Sequence, residues 1–336
     1  MELEDLLQEF GLREFEQSME LLFPKESITF EGIWKEVTGG NVIDVLAKIL
    51  ERAVEIQERS AGSIKSIFLW LIVLGIVGAL LTNFVEVFDK NQVSELCFYF
   101  LYLMVSALMF KCFFDIEGIA SDTLEDIVLF VKLMIPGYLI SVGVASGTVT
   151  VSMYYELIII FIFFVEHIFA RIVLPLINCH MVLSVVNGIW PKERLGLIMD
   201  FAKKTIFWII KAGVGVVTGF SVIQALISPS LDSVQNIAVK KLISAVPGVG
   251  DTAKGILDIT TASAVAIKNS IGVVLFILLI MMCLAPLLKI FVISVVLKLS
   301  AALMGTVSDR RITNCADHTA DAGFMMLRTV GAAAIL

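Results

Sequence analysis

The stretch from Ile271 to Met304, IGVVLFILLIMMCLAPLLKIFVISVVLKLSAALM, decides the fold. It runs for more than thirty residues, with a proline at Pro286 and Lys289 close behind it. A hydrocarbon core of about 30 Å needs only about 20 helical residues, so one straight rod of this length, near 50 Å, overshoots a bilayer. The helix must tilt, project or break. Proline removes one backbone donor and clashes with the carbonyl four residues earlier, so a break or kink is expected at Pro286. Tyr154 to Val186 repeats the pattern around Pro175, with Arg171 beside it. Discontinuous helices in lipid are tolerated only where protein or a water-filled cavity surrounds the freed backbone groups, so both prolines point to a sheltered path.

Working outward, Ile67 to Phe84, Leu96 to Phe114, Ile127 to Ala145 and Thr205 to Ile227 are further apolar runs of spanning length. Across the 336 residues, 58% are hydrophobic, only 17% are charged and the mean hydropathy is +0.93. Soluble domains carry about 45–50% apolar and about 25% charged residues, so a water-soluble enzyme is excluded. The chain reads as an all-α, polytopic integral membrane protein with broken transmembrane helices. The final apolar run, from Phe324 to Leu336, is too short to cross and is expected to be a span cut short.

The net charge of −7 arises in residues 1 to 66, which hold fourteen acids and seven bases. Leu6, Phe10, Phe15, Met19 and Leu22, then Ile43, Leu46, Leu50 and Val54, recur at roughly helical spacing. Residues 1–66 therefore read as an amphipathic, water-facing helical region that needs a partner surface, and they carry no secretory-signal pattern. Residues 67–227 form a first membrane region and 271–336 a second. Between them, residues 228–270 read as an amphipathic helical hairpin. Its first arm sets Val234, Ile237, Ala238 and Leu242 against Lys240 and Lys241, and its turn is Pro247-Gly248-Val249-Gly250.

Catalytic signatures are sparse. The three histidines, His167, His180 and His318, sit in no zinc pattern, and the five cysteines have no paired spacing. Gly213, Gly215 and Gly219 lie in a hydrophobic helix rather than a strand-to-helix turn, so no nucleotide fingerprint is present. No enzyme activity and no metal or cofactor is expected, and the acidic balance argues against nucleic-acid binding.

Ionisable groups inside spans are expensive and mark function by default. Lys132, Glu166, His167, Arg171 and Lys289 are accordingly candidates for a polar path or an interface, together with Pro175, Pro286 and the hairpin residues Lys240, Pro247, Gly250 and Lys268. Each also has a plain reading: snorkelling, an internal ion pair, or a headgroup-facing helix side. Gly143 with Gly147, and Gly215 with Gly219, have the small-xxx-small spacing that lets helices approach.

Several separated elements then occur in a telling order. They are Ser228-Pro229-Ser230-Leu231-Asp232, Lys240, Val246-Pro247-Gly248-Val249-Gly250, Asp258, Ile267-Lys268-Asn269-Ser270-Ile271-Gly272 and Cys283-Leu284-Ala285-Pro286-Leu287-Leu288-Lys289. This series, within residues 200 to 315, resembles the stage III sporulation protein AE family. The resemblance implies a multi-pass protein in the mother-cell membrane surrounding the forespore. It would be a membrane subunit of a transport or secretion channel between the two cells, needed for forespore development. Implied partners are the other stage III A-operon membrane proteins, an ATPase, stage II sporulation protein Q and further copies of the chain. A stand-alone secondary transporter and a non-conducting scaffold of the same complex are the competing expectations, the first favoured by paired broken segments.

Overall fold

The computed structural model describes residues 30–39, 42–86, 91–146, 149–190, 194–244, 250–306 and 309–336. Helix follows helix: α1 (Phe30–Thr38), α2 (Val42–Glu86), α3 (Asn91–Ser146), α4 (Val149–Ile168), a π-helical segment (Phe169–Val173), α5 (Leu174–Ile189), α6 (Gly196–Ser244), α7 (Gly250–Met304) and α8 (Arg310–Ile335). No strand occurs among the described residues. Four of these helical stretches, Phe98–Met134, Glu156–Ile189, Gly196–Ile223 and Asn269–Met304, are long and apolar enough to cross a membrane. The all-α, polytopic membrane architecture expected from the sequence is the one observed.

Two local expectations are corrected. Leu96 to Phe114 and Ile127 to Ala145 are not separate spans; both lie in α3. The acidic link between them keeps the helical repeat of apolar positions, and Met109, Cys112, Ile116, Ala120, Leu124 and Ile127 form one unbroken buried face. Periodicity thus carries the helix through the charged stretch.

Pro286 does not break its helix, whereas the α-helix is interrupted just before Pro175. Pro286 lies inside α7, where losing one hydrogen bond is tolerated because Cys283 and Ile290 anchor both sides of it in the core. Pro175 stands in the first turn of α5, and the preceding π-helical segment absorbs the irregularity, the Leu174 N–H donating to the Phe169 carbonyl five residues back.

The last apolar run, Phe324 to Leu336, does not stand alone. It is the second half of α8, which Asp309 opens by accepting a 2.8 Å hydrogen bond from the Arg311 N–H. Ala316, Ala320, Ala322, Gly323, Met326 and Val330 are buried where α8 packs against α7, α3 and α5. Small side chains make α8 thin enough to occupy the middle of the bundle. The same smallness hides it in a hydropathy profile.

A second hydrophobic cluster lies apart from this core. Ile33 and Trp34 of α1 and Val45 and Ile49 of α2 pack with Phe130 and Met134 of α3 and with Ile271, Val274, Ile277 and Leu278 of α7. The described part of the acidic N-terminal region therefore finds its partner surface on α3 and α7. Residues 1–29 and Pro247 lie outside the described residues, as do the side chains of Lys240 and Lys268. Around Pro247, α6 runs to Ser244 and α7 starts at Gly250, so both arms of the expected hairpin are helical and continuous with spans.

The α5–α6 junction is fixed by one side chain. Buried Asn187 accepts hydrogen bonds from the N–H groups of Arg194 (3.0 Å) and Leu195 (2.9 Å), supplying acceptors just before α6 begins. Asn187→Ala leaves two donors unsatisfied and is expected to cost about 1–2 kcal/mol, whereas Asn187→Asp retains the acceptor and costs less. Denaturant unfolding of the purified protein in detergent checks both.

Candidate functional site

Charged groups from three helices meet at a partly exposed edge of the bundle. Asp317 and Asp321 stand one turn apart on α8. Lys298 of α7 reaches both, at 2.7 Å and 2.8 Å, and Lys203 of α6 reaches Asp321 at 2.8 Å. Burial alone would raise the Asp321 carboxyl, but the hydrogen bonds and charges of Lys203 and Lys298 outweigh it and hold it below the usual carboxylate range. His318, the neighbour of Asp317, meets His180 of α5 edge to face, with ring centroids 6.5 Å apart. His180 is buried, and neither ring nitrogen has a hydrogen-bond partner. One turn before His318's end of the cluster, burial pushes the Cys315 thiol up to about 11, so it stays neutral and unreactive at physiological pH. With two cations balancing two anions, the cluster ties α6, α7 and α8 together.

Sequence reading missed this cluster. Lys203, Lys298 and the aspartate pair come from three separate helices, and the one local signal was the i, i+4 spacing of Asp317 and Asp321 on a helix otherwise rich in alanine and threonine.

The residues singled out from sequence do not converge on one point. Glu166 is 1% exposed and its Oε2 has no hydrogen-bond partner, while the next residue, His167, and Arg171 one turn on both face outward. Lys132 is exposed, with its Nζ 5.3 Å from the centroid of the Phe163 ring, on which His167 stacks at 6.5 Å. The structure thus brings Lys132 and His167 together across α3 and α4 and turns Glu166 away from both. Pro175 is exposed and Lys289 half-buried. A side chain at Gly215 or Gly219 would enter open space, so neither makes a close helix contact within the chain. Gly213 does: a Cβ there would lie 2.7 Å from Val165 Cγ1 and 3.2 Å from the Phe169 ring. Gly147 and the surroundings of Gly143 lie outside the described residues.

A second polar feature runs along α3. Asp115, Asp122, Glu125 and Asp126 are exposed on the side opposite the buried apolar face, with exposed Lys111 before them and Lys132 after them. On one helix, their spacing of seven and then three to four residues lines them up.

A curated relative from Bacillus subtilis (strain 168), named Stage III sporulation protein AE, is 19% identical over 249 residues. The matched region covers 74% of this chain and 62% of the relative, so the chain spans less than two thirds of that protein's length. No solved structure matches. A family model described as stage III sporulation protein AE matches residues 28–336, extending the likeness beyond the motif-bearing residues 200 to 315 to α1 through α8. From the helices that carry the N-terminal cluster to the small-residue helix at the centre of the bundle, the chain belongs to the stage III sporulation protein AE family.

Proposed function

We propose that the protein is a membrane subunit of a sporulation-specific transport or secretion channel connecting mother cell and forespore, and that forespore development depends on it. It resides in the mother-cell membrane around the forespore and works as an oligomer. Its companions are other stage III A-operon membrane proteins, a partner ATPase that supplies the energy, and stage II sporulation protein Q. It performs no catalysis of its own. Family membership supports the sporulation context. The observation that carries the channel reading is the acidic face of α3: Asp115, Asp122, Glu125 and Asp126 are exposed on a helix that is apolar enough to span. Carboxylates facing acyl chains are costly, so this face belongs against water or a neighbouring subunit.

The test uses the full chain with its native cysteines replaced by alanine, purified in mild detergent and reconstituted in vesicles. Its mass is expected to correspond to several copies. A cysteine placed by Asp122→Cys is expected to react with a membrane-impermeant maleimide, whereas one placed by Leu103→Cys, on an exposed apolar position of the same helix, does not. A monomer in which neither cysteine reacts would sink the channel reading in favour of a scaffold.

One observation favours a second reading. The unpartnered, buried carboxyl of Glu166 is the kind of group that binds a proton or cation in a secondary transporter. Protein reconstituted alone would then move a small solute against an ion gradient.

A further inference from the structure

We propose that Lys132, His167 and Arg171 form a binding site for the phosphate headgroup of an anionic phospholipid. Lys132 of α3 and His167 of α4 both lie against the Phe163 ring, and Arg171, in the π-helical segment, follows His167 by one turn. All three are exposed, and none has a carboxylate partner among the described residues. Glu166 is adjacent in sequence but buried on the other side of α4, and Glu125 lies two turns away along α3. Around the three polar side chains the surface is apolar. Leu129, Ile160, Phe164 and Ile172 are 41%, 56%, 60% and 50% exposed.

Two fixed cations and an imidazole on the outside of membrane-length helices need a counter-charge, because an unpaired cation next to hydrocarbon is costly. Lys132 stands six residues, less than two turns, beyond Asp126 of the exposed acidic face of α3, so its ammonium lies beside a polar level of the helix. A phospholipid meets both demands: its phosphate accepts from the lysine, the guanidinium and the imidazole, and its chains cover the flanking leucine, isoleucines and phenylalanine. Free phosphate would leave that apolar rim exposed. The site rests on the membrane architecture alone and not on the channel reading.

Native mass spectrometry of the full chain in mild detergent, titrated with phosphatidylglycerol or phosphatidylcholine of the same chain length, tests it. Phosphatidylglycerol is expected to bind preferentially. The double substitution Lys132→Gln/Arg171→Gln is expected to weaken it about thirtyfold, from two lost headgroup contacts. Lys132→Arg/Arg171→Lys, which keeps both charges, retains the preference, and Lys204→Gln/Lys211→Gln, which neutralises two exposed lysines on α6, leaves it unchanged. Equal binding of the two lipids, or a preference that survives neutralisation in correctly folded protein, overturns the site. So does a variant that keeps its lipid and loses a dimer, which would assign the cations to a second copy of the chain.

Discussion

Gly323→Val is expected to lower the unfolding free energy by about 3 kcal/mol, the upper part of the range for overpacking a core. A Cβ at Gly323 would run into Ser294 Oγ on α7 and lie 3.2 Å from Ile116 Cδ1 on α3. Neither neighbour has room to yield. Ser294 is fully buried and its hydroxyl donates to the Ile290 carbonyl at 2.8 Å, while Ile116 sits in the middle of the core. The two extra methyl groups of valine must therefore push α8 away from α7, α3 or both. Gly215→Ala is the matched control. Its Cβ enters open space, so stability is expected to hold or rise slightly with the better helix propensity of alanine. Denaturant titration in detergent, read by circular dichroism, checks both. If Gly323→Val unfolds no earlier than Gly215→Ala, α8 does not sit at the centre of the bundle.

Asp321→Asn should cost about 2 kcal/mol at neutral pH, because one carboxylate serves two lysines on different helices. The figure is held below that for a fully buried pair because the Lys203 and Lys298 side chains are 38% and 42% exposed and keep partial hydration. Acid dependence carries the sign. The Asp321 carboxyl lies lower in the folded protein than in an unfolded chain, where it is about 3.9. Its contribution is thus complete above that unfolded value and disappears as pH falls through the lower folded one. Stability measured from pH 7 downward should show an acid limb below about pH 4 that is smaller in Asp321→Asn. Identical acid limbs in the two proteins would show that the lysines do not hold this carboxylate in solution.

Much of this architecture is legible in the sequence because lipid-facing helices announce themselves by length and apolar content. The apolar runs around Tyr154 to Val186, Thr205 to Ile227 and Ile271 to Met304 all fall in membrane-length helices. What escapes is whatever depends on contact between distant segments. Ala316, Ala320 and Gly323 look weakly apolar in a hydropathy window, yet they line the most enclosed helix because small side chains admit close neighbours. Proline misled for the opposite reason: its local cost is real, but at Pro286 packing on both sides outweighs one absent hydrogen bond. The candidate residues divide in the same way. Intramembrane rarity picked out Lys132, His167 and Arg171, whereas the ion pairs of Lys298 with Asp317 and Asp321 required the fold to bring α7 and α8 together.

The uninterrupted courses of α3 and α7 have a mechanical corollary. At about 1.5 Å per residue, helices of 56 and 55 residues extend for about 80 Å. They act as stiff levers, and a tilt of about 5° at one extremity sweeps the other through about 7 Å. The N-terminal cluster, where Ile33, Trp34 and Ile49 meet α3 at Phe130 and Met134 and α7 at Ile271 to Leu278, grips α7 near its middle, so an event that rocks it is felt towards both tips of that rod.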